Sequence, residues 1–287
     1  MSSGPDPESF LSGSSGHVAG LRRRTLRTLA DHALDLVERA RGSARALDRL
    51  AERRPPRDVL VLGVYRPEGD LIEPAVAELR RSRHTLRVLL GALGATRAAL
   101  RGETVATGLA GGKFENLNAI LASAKPAPAD WTLVVDDDVV LAPRFLDRFL
   151  ALCEQFDLAL AQPAQTLMSH AAWPITRRRA GSLLRETRFV EIGPVTAFRR
   201  DAAAELLPFP DLRFGWGLEL HWAALAGERG WRLGIVDALP VRHELAAVAS
   251  HYAHADAVAE GRRFLADRPH LTSAAVRDPV AVHRRIR

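Results

Sequence analysis

Three consecutive acids, Asp136, Asp137 and Asp138, close the apolar run Leu133-Val134-Val135. Like charges this close repel one another and resist burial. A divalent cation, a ribose hydroxyl, or both would reconcile them; the plainer alternative is a solvated acidic turn. Other residues that could do chemistry follow. Gly111-Gly112-Lys113 is a turn that lets an ammonium approach an anion at a helix start. Lys113 is one of only two lysines, and Asn116 and Asn118 are the only asparagines. Gly215-Trp216-Gly217 offers an indole suited to the apolar face of a sugar ring, or else to plugging the sheet edge. Glu219 and His221 fall on the first helical turn after it, where the helix dipole favours an ionised carboxylate. His243 follows a short extended piece.

The elements around these residues alternate. Short, wholly apolar runs suit strands buried on both faces: Asp58 to Val64, Thr85 to Leu90, Thr104 to Thr107, the run before Asp136, Leu158 to Gln162, and Trp231 to Val236. Phe189 to Arg199 reads as two strand pieces around Gly193-Pro194. Helical spacing covers Leu71 to Arg81, Asn118 to Ala124, Pro143 to Phe156, Arg200 to Leu207 and Leu218 to Arg229, the last closed by Gly230. Strands alternating with helices imply an α/β fold, a mostly parallel central sheet with helices on both faces. Ligands of such sheets bind beyond the carboxyl ends of the strands, where the aspartates fall. Thr166 to Arg185, irregular and basic, has the size of a loop that covers a substrate.

Composition narrows the class. The chain has 287 residues, 47% hydrophobic and 26% charged, as expected of a soluble globular protein. No apolar run reaches the roughly 18 residues of a membrane span, and the N-terminus lacks the order of a signal peptide. A single cysteine, Cys153, excludes an internal disulfide framework and points to a reduced, cytoplasmic setting. The net charge of +6 sits wholly in residues 18–57, which carry eleven arginines against five acids. This argues against a nucleic-acid surface. Residues 1–17 read as a disordered tail, 18–56 as a basic helical extension, 57–245 as the main domain and 246–287 as a C-terminal helical extension with a frayed, Arg-rich end. The periodic stretch 20–54, divided near Gly42-Ser43, suits either a peripheral contact with a membrane or partner, at the inner membrane surface, or a helix packed on the main domain.

In order along the chain, the motifs resemble a GT-A-fold glycosyltransferase, most similar to family 2. The resemblance rests on Gly111-Gly112-Lys113…Leu117-Asn118, on Asp136-Asp137-Asp138, on Glu219 and on His243, and covers about residues 58–245. It implies a nucleotide-diphosphate sugar donor, an acceptor hydroxyl of unread identity, and Mn²⁺ or Mg²⁺ held by hard oxygen ligands. On this resemblance Val64, Tyr65, Arg66, Lys113, Asn118, Asp136 and Asp137 bind the donor. Asp138, with Asp136 and His243, holds the metal. Trp216 and His221 contact the acceptor, and Glu219 is the base of an inverting transfer. The family's Glu-Asp pair stands here as Leu218-Glu219, and the Gln-x-x-Arg-Trp motif of processive synthases is absent, so single-sugar transfer is expected. The competing readings are a non-catalytic GT-A-shaped module that binds nucleotide-sugar, a haloacid-dehalogenase-like phosphatase with Asp136 as nucleophile, and a sugar-nucleotide nucleotidyltransferase.

Overall fold

The computed structural model describes residues 21–40, 42–169, 171–243 and 254–286. Its centre is β1 (Asp58–Tyr65), whose side chains alternate between two cores. Val59 and Val61 face α2 (Ser43–Glu52), α3 (Ile72–Arg80) and α5 (Phe145–Gln155). Leu60 and Leu62 face α4 (Lys113–Ala124), α6 (Arg200–Leu206) and α7 (Leu218–Arg229). A strand buried on both sides is apolar throughout, which is why its sequence shows a run and not an alternation.

Parallel neighbours flank β1: β2 (Thr85–Ala92), then β3 (Thr104–Ala106), on one side and β4 (Trp131–Val135) on the other. Beyond β4 come β8 (Val195–Arg199), β6 (Leu158–Gln165), β9 (Arg232–His243), β7 (Leu184–Thr187) and β10 (Ala281–His283). Only β7 and β8 run against the rest of this path. The short β5 (Val139–Val140) pairs with the end of β9. Eight helices complete the described residues, with α1 (Leu21–Ala40) before α2 and α8 (His254–Leu265) near the end. The expected mixed α/β sheet, mostly parallel and covered on both faces, is what the chain builds.

Three local expectations change. Of Phe189 to Arg199, only the second piece is a strand; residues 189–194 form no ladder. The stretch 166–185 is not a free cover, because its arginines are consumed inside. Arg185, 4% exposed, donates to both Asp237 carboxylate oxygens and to the carbonyls of Ile175 and Arg177. Arg178 pairs with Asp31 and Asp35 of α1. Basic residues signalled exposure in the sequence; here buried carboxylates hold them, as buried charge requires. The C-terminal end is not frayed, since Ala281–His283 adds an antiparallel strand to β7. The basic extension divides at the expected point, and α2 packs on the main domain, the second of the two readings given for it. Its Leu47, Leu50 and Ala51 are buried against α5, and its Asp48 accepts both ends of the Arg148 guanidinium. The first part of the helix expected over 246–266 lies outside the described residues.

Candidate functional site

The strand β4 delivers Asp136 to the carboxyl end of the sheet, where its N–H donates to the Pro194 carbonyl (2.8 Å). The next turn carries Asp138 into β5, and the pairing Val139↔His243 sets His243 beside it. The His243 Nε2 lies 3.1 Å from Asp138 Oδ2. One donor atom from each of Asp136, Asp138 and His243 falls within 4.8 Å of the others. Burial pushes the Asp138 carboxyl up, but its hydrogen bond to His243 and the charges of His243, Arg66 and Lys113 together hold it below its ordinary value. Burial likewise pulls the His243 imidazole down, and Asp138 raises it past its ordinary value. Burial leaves Asp136 with a raised value despite the ammonium of Lys113. Two converging carboxylates and an imidazole form a donor set that fits Mn²⁺ or Mg²⁺.

The middle acid does something else. Asp137 accepts from the Arg66 backbone N–H (2.8 Å), from Nε (2.9 Å) and from a terminal guanidinium nitrogen (2.6 Å). The two residues satisfy each other and fasten the end of β1 to the tip of β4. Tyr65 is wholly buried, its hydroxyl meeting Thr104 and the Arg97 N–H. It serves the core. Val64, partly exposed at this end of β1, packs against the core that Leu60 and Leu62 face.

Lys113 opens α4. Glu115 reaches back to the Gly112 N–H, and the Asn116 amide bonds both the N–H and the C=O of Gly111. The turn is thus fixed before the lysine leaves it. The Lys113 ammonium then lies 2.6 Å from Asp136 Oδ1 and 2.9 Å from the Ile192 carbonyl. Asn118, expected at the nucleotide, instead clamps the backbone of Phe209, bonding its N–H and its C=O at 2.9 Å each. Both asparagines are braces. Their rarity in the sequence drew attention to a real constraint, but a structural one.

Glu219 sits on the first turn of α7. Burial raises its carboxyl to about 7, against hydrogen bonds from its own N–H and that of Ile192 and against the Lys113 charge. A second acid, Glu191, lies within its electrostatic reach and was missed in the sequence. Burial, followed by the neighbouring Glu219, raises Glu191 to about 8. Gln165 Nε2 donates to its Oε2 (3.1 Å), and Gln162 accepts from its N–H. No periodic signal marks Glu191, because it stands in the unpaired segment before β8. Gly193 beside it has φ +136°, and a Cβ there would lie 2.8 Å from Asp136 Oδ2 and 3.0 Å from Lys113 Nζ. Only glycine lets this segment pass between the two acids' neighbourhoods.

The Gly-Trp-Gly turn is held from an unexpected quarter. Glu260 of α8 accepts from the backbone N–H groups of Arg213 (2.8 Å), Phe214 (2.9 Å) and Gly215 (2.9 Å). Gly215 has φ +76°, and a Cβ would collide with the Phe114 ring of α4 at 1.8 Å. Trp216 is half-buried and packs on the larger core. His221, expected at the acceptor, turns away: its Nδ1 meets the Pro269 carbonyl (2.7 Å) and its ring stands edge-on to Phe264. The structure therefore gathers Asp136, Asp138, His243, Lys113 and Glu219 and adds Glu191, while Asp137, Arg66, Tyr65, Asn118 and His221 each bond to another part of the chain.

No family model matches the sequence, and no curated protein matches it. Solved structures similar to the chain include the mannosyltransferase PcManGT from Pyrobaculum calidifontis in complex with GDP-Man and Mn²⁺. That pair is 17% identical over 86% of this chain and 76% of the other, with a TM-score of 0.49. The likeness is one of shape, not of sequence. TarS 1–349 of S. aureus in complex with UDP-GlcNAc is 12% identical over 69% of this chain and 62% of its own, at TM-score 0.47. GalNAc-T7 with UDP, GalNAc and Mn²⁺ is 12% identical over 66% and 43%, at TM-score 0.45. The match thus spans less than two thirds of TarS and of GalNAc-T7.

Proposed function

We propose that this chain is a GT-A-fold glycosyltransferase of the family 2 kind. It moves a single hexosyl unit from a nucleotide-diphosphate donor to an acceptor hydroxyl, with inversion. One observation carries the reading. A cation-ready cluster and a half-buried carboxylate are joined through one lysine: Asp136 to Lys113, Lys113 to the Ile192 carbonyl, and the Ile192 N–H to Glu219. That supplies a leaving-group side and a proton-accepting side tied to one another through Lys113, as displacement at an anomeric carbon requires.

Asp136, Asp138 and His243 would hold the cation. When bound, it neutralises the charge that grows on the leaving diphosphate. Lys113 adds a fixed positive charge on the same side. Opposite them, Glu219 takes the acceptor hydroxyl's proton as the oxygen bonds to the anomeric carbon and the sugar–diphosphate bond gives its electrons to the leaving oxygen. A carboxyl near 7 is suited to this at neutral pH. Glu191, near 8, stays protonated there and is a hydrogen-bond donor to a sugar hydroxyl. Trp216 is retained as the acceptor-side platform and Val64 as a wall of the base pocket. The single cysteine, Cys153, buried and unpaired, fits a reducing cytoplasm.

The test is a thermal-shift panel of UDP-, GDP- and dTDP-sugars with and without Mn²⁺, repeated on Asp138→Asn. Metal-dependent stabilisation by one nucleotide, absent in the variant, is the expected result. A wild-type protein indifferent to every nucleotide and metal rules the reading out. Binding without sugar consumption, unchanged by Glu219→Gln, would make it a binding module instead.

A further inference from the structure

The helix α1 shows two unlike faces. The inner one is tied down by its acids. Asp31 accepts from the N–H groups of Leu167 and Met168 (3.0 Å each), and Asp31 and Asp35 both meet the buried Arg178 guanidinium. Arg27 donates to the Leu167 carbonyl. The outer face is apolar. Among the described residues six large hydrophobic side chains are exposed, and four belong to α1: Leu26 (66%), Leu29 (59%), Leu36 (63%) and Val37 (43%). Leu26, Leu29, Ala33, Leu36 and Ala40 recur at three- and four-residue steps and form one continuous stripe.

The charges around this stripe are cationic. The first turn of α1 carries Arg22, Arg23 and Arg24, and Arg39 lies in its last turn. Of the three acids on the helix, Asp31 and Asp35 are engaged by Arg178 and Glu38 accepts from Ser43. An apolar stripe with arginines at its ends matches an anionic lipid surface. A second copy of the helix fits less well, since either orientation brings arginine against arginine. The surface also has a short route to the candidate site. The Leu167–Ser169 turn held by Asp31 continues to Ser169 Oγ, which accepts from the His243 N–H (2.9 Å).

We propose that α1 is an interfacial helix that docks this protein on anionic membranes, burying the Leu26–Leu29–Leu36–Val37 face among acyl chains. The transfer reaction is not assumed. Co-sedimentation of the full chain with phosphatidylcholine vesicles, with and without phosphatidylglycerol, tests it. Binding is expected only with the anionic lipid, falling as salt rises. Replacing Arg22, Arg23 and Arg24 by Gln should weaken it about fivefold per arginine. The combination Leu26→Ser, Leu29→Ser and Leu36→Ser should weaken it more than about tenfold. Melting temperatures measured without vesicles should stay at wild-type values in both variants, which verifies their folding. Equal binding to neutral vesicles, or no vesicle binding, overturns the proposal. So does light scattering that finds a wild-type dimer which the serine variant dissolves, because the face would then be a contact between copies.

Discussion

The Lys113 ammonium stands 2.6 Å from Asp136 and also bonds the carbonyl of Ile192, whose N–H faces Glu219. One side chain from the start of a helix therefore connects the acid at a strand tip with the acid at another helix start. Removing its charge while keeping its length should show what the connection is worth. Lys113→Met is expected to lower kcat/KM about 30- to 100-fold, the scale of losing one charged partner. Steady-state kinetics with the donor found in the thermal-shift panel measures it. Metal-dependent nucleotide binding should weaken in step.

Glu219→Gln should lower kcat by about 10²- to 10⁴-fold, the usual contribution of a general base, with little change in donor KM. The pH profile gives the sign. A carboxyl raised to about 7 is protonated and idle below that pH. The wild-type rate should climb as pH rises through about 7 and then level, while the variant's residual rate lacks that rise. A wild-type profile flat from pH 5 to pH 9 removes Glu219 from the role.

Glu191 makes a prediction about stability. Its folded value is near 8, well above that of an exposed glutamate. The folded state therefore binds the extra proton, and stability falls as pH rises from the ordinary carboxylate range to about 8. Glu191→Gln stays neutral and can still accept from Gln165. Its Tm should match wild type near pH 5 and exceed it near pH 8.5. The pH series of melting curves checks both ends, and equal slopes for the two proteins reject the assignment.

The buried pair Arg185 and Asp237 carries the stretch 166–185. With Asp237 truncated, Arg185 keeps two carbonyl partners but loses its counter-charge in the interior. Asp237→Ala should cost about 3–5 kcal/mol, measured by urea unfolding. A loss below about 1 kcal/mol, the scale of surface pairs, shows the pair to be solvated.

What the sequence made legible followed from burial pattern. Runs such as Leu133 to Val135 have one physical reading, a strand covered on both faces, and the acids at their end mark the rim. Helix ends with Gly were equally plain, as Gly230 shows. Bonds made within the fold were not legible. Asn118, Asp137 and His221 received ligand roles from the family resemblance, and the structure shows each bonded to another part of the chain: Phe209, Arg66 and Pro269. The inward pairing of Arg178 and Arg185 depends on acids far away in sequence. Glu191 had no visible signal, since its importance comes from what folds against it. Glu260 was hidden in a distant helix whose role depends on tertiary contact alone.

The three backbone N–H groups held by Glu260, together with the Gly215–Phe114 contact, bring three sequence regions to one seam: residues 111–118, 213–219 and 254–265. The lysine-bearing and glutamate-bearing helices cannot drift apart without opening that seam. A chimera that exchanges the segment bearing Glu260 would therefore also loosen the turn from which the Glu219 helix starts. The last helix acts as a keystone for a turn some forty positions upstream.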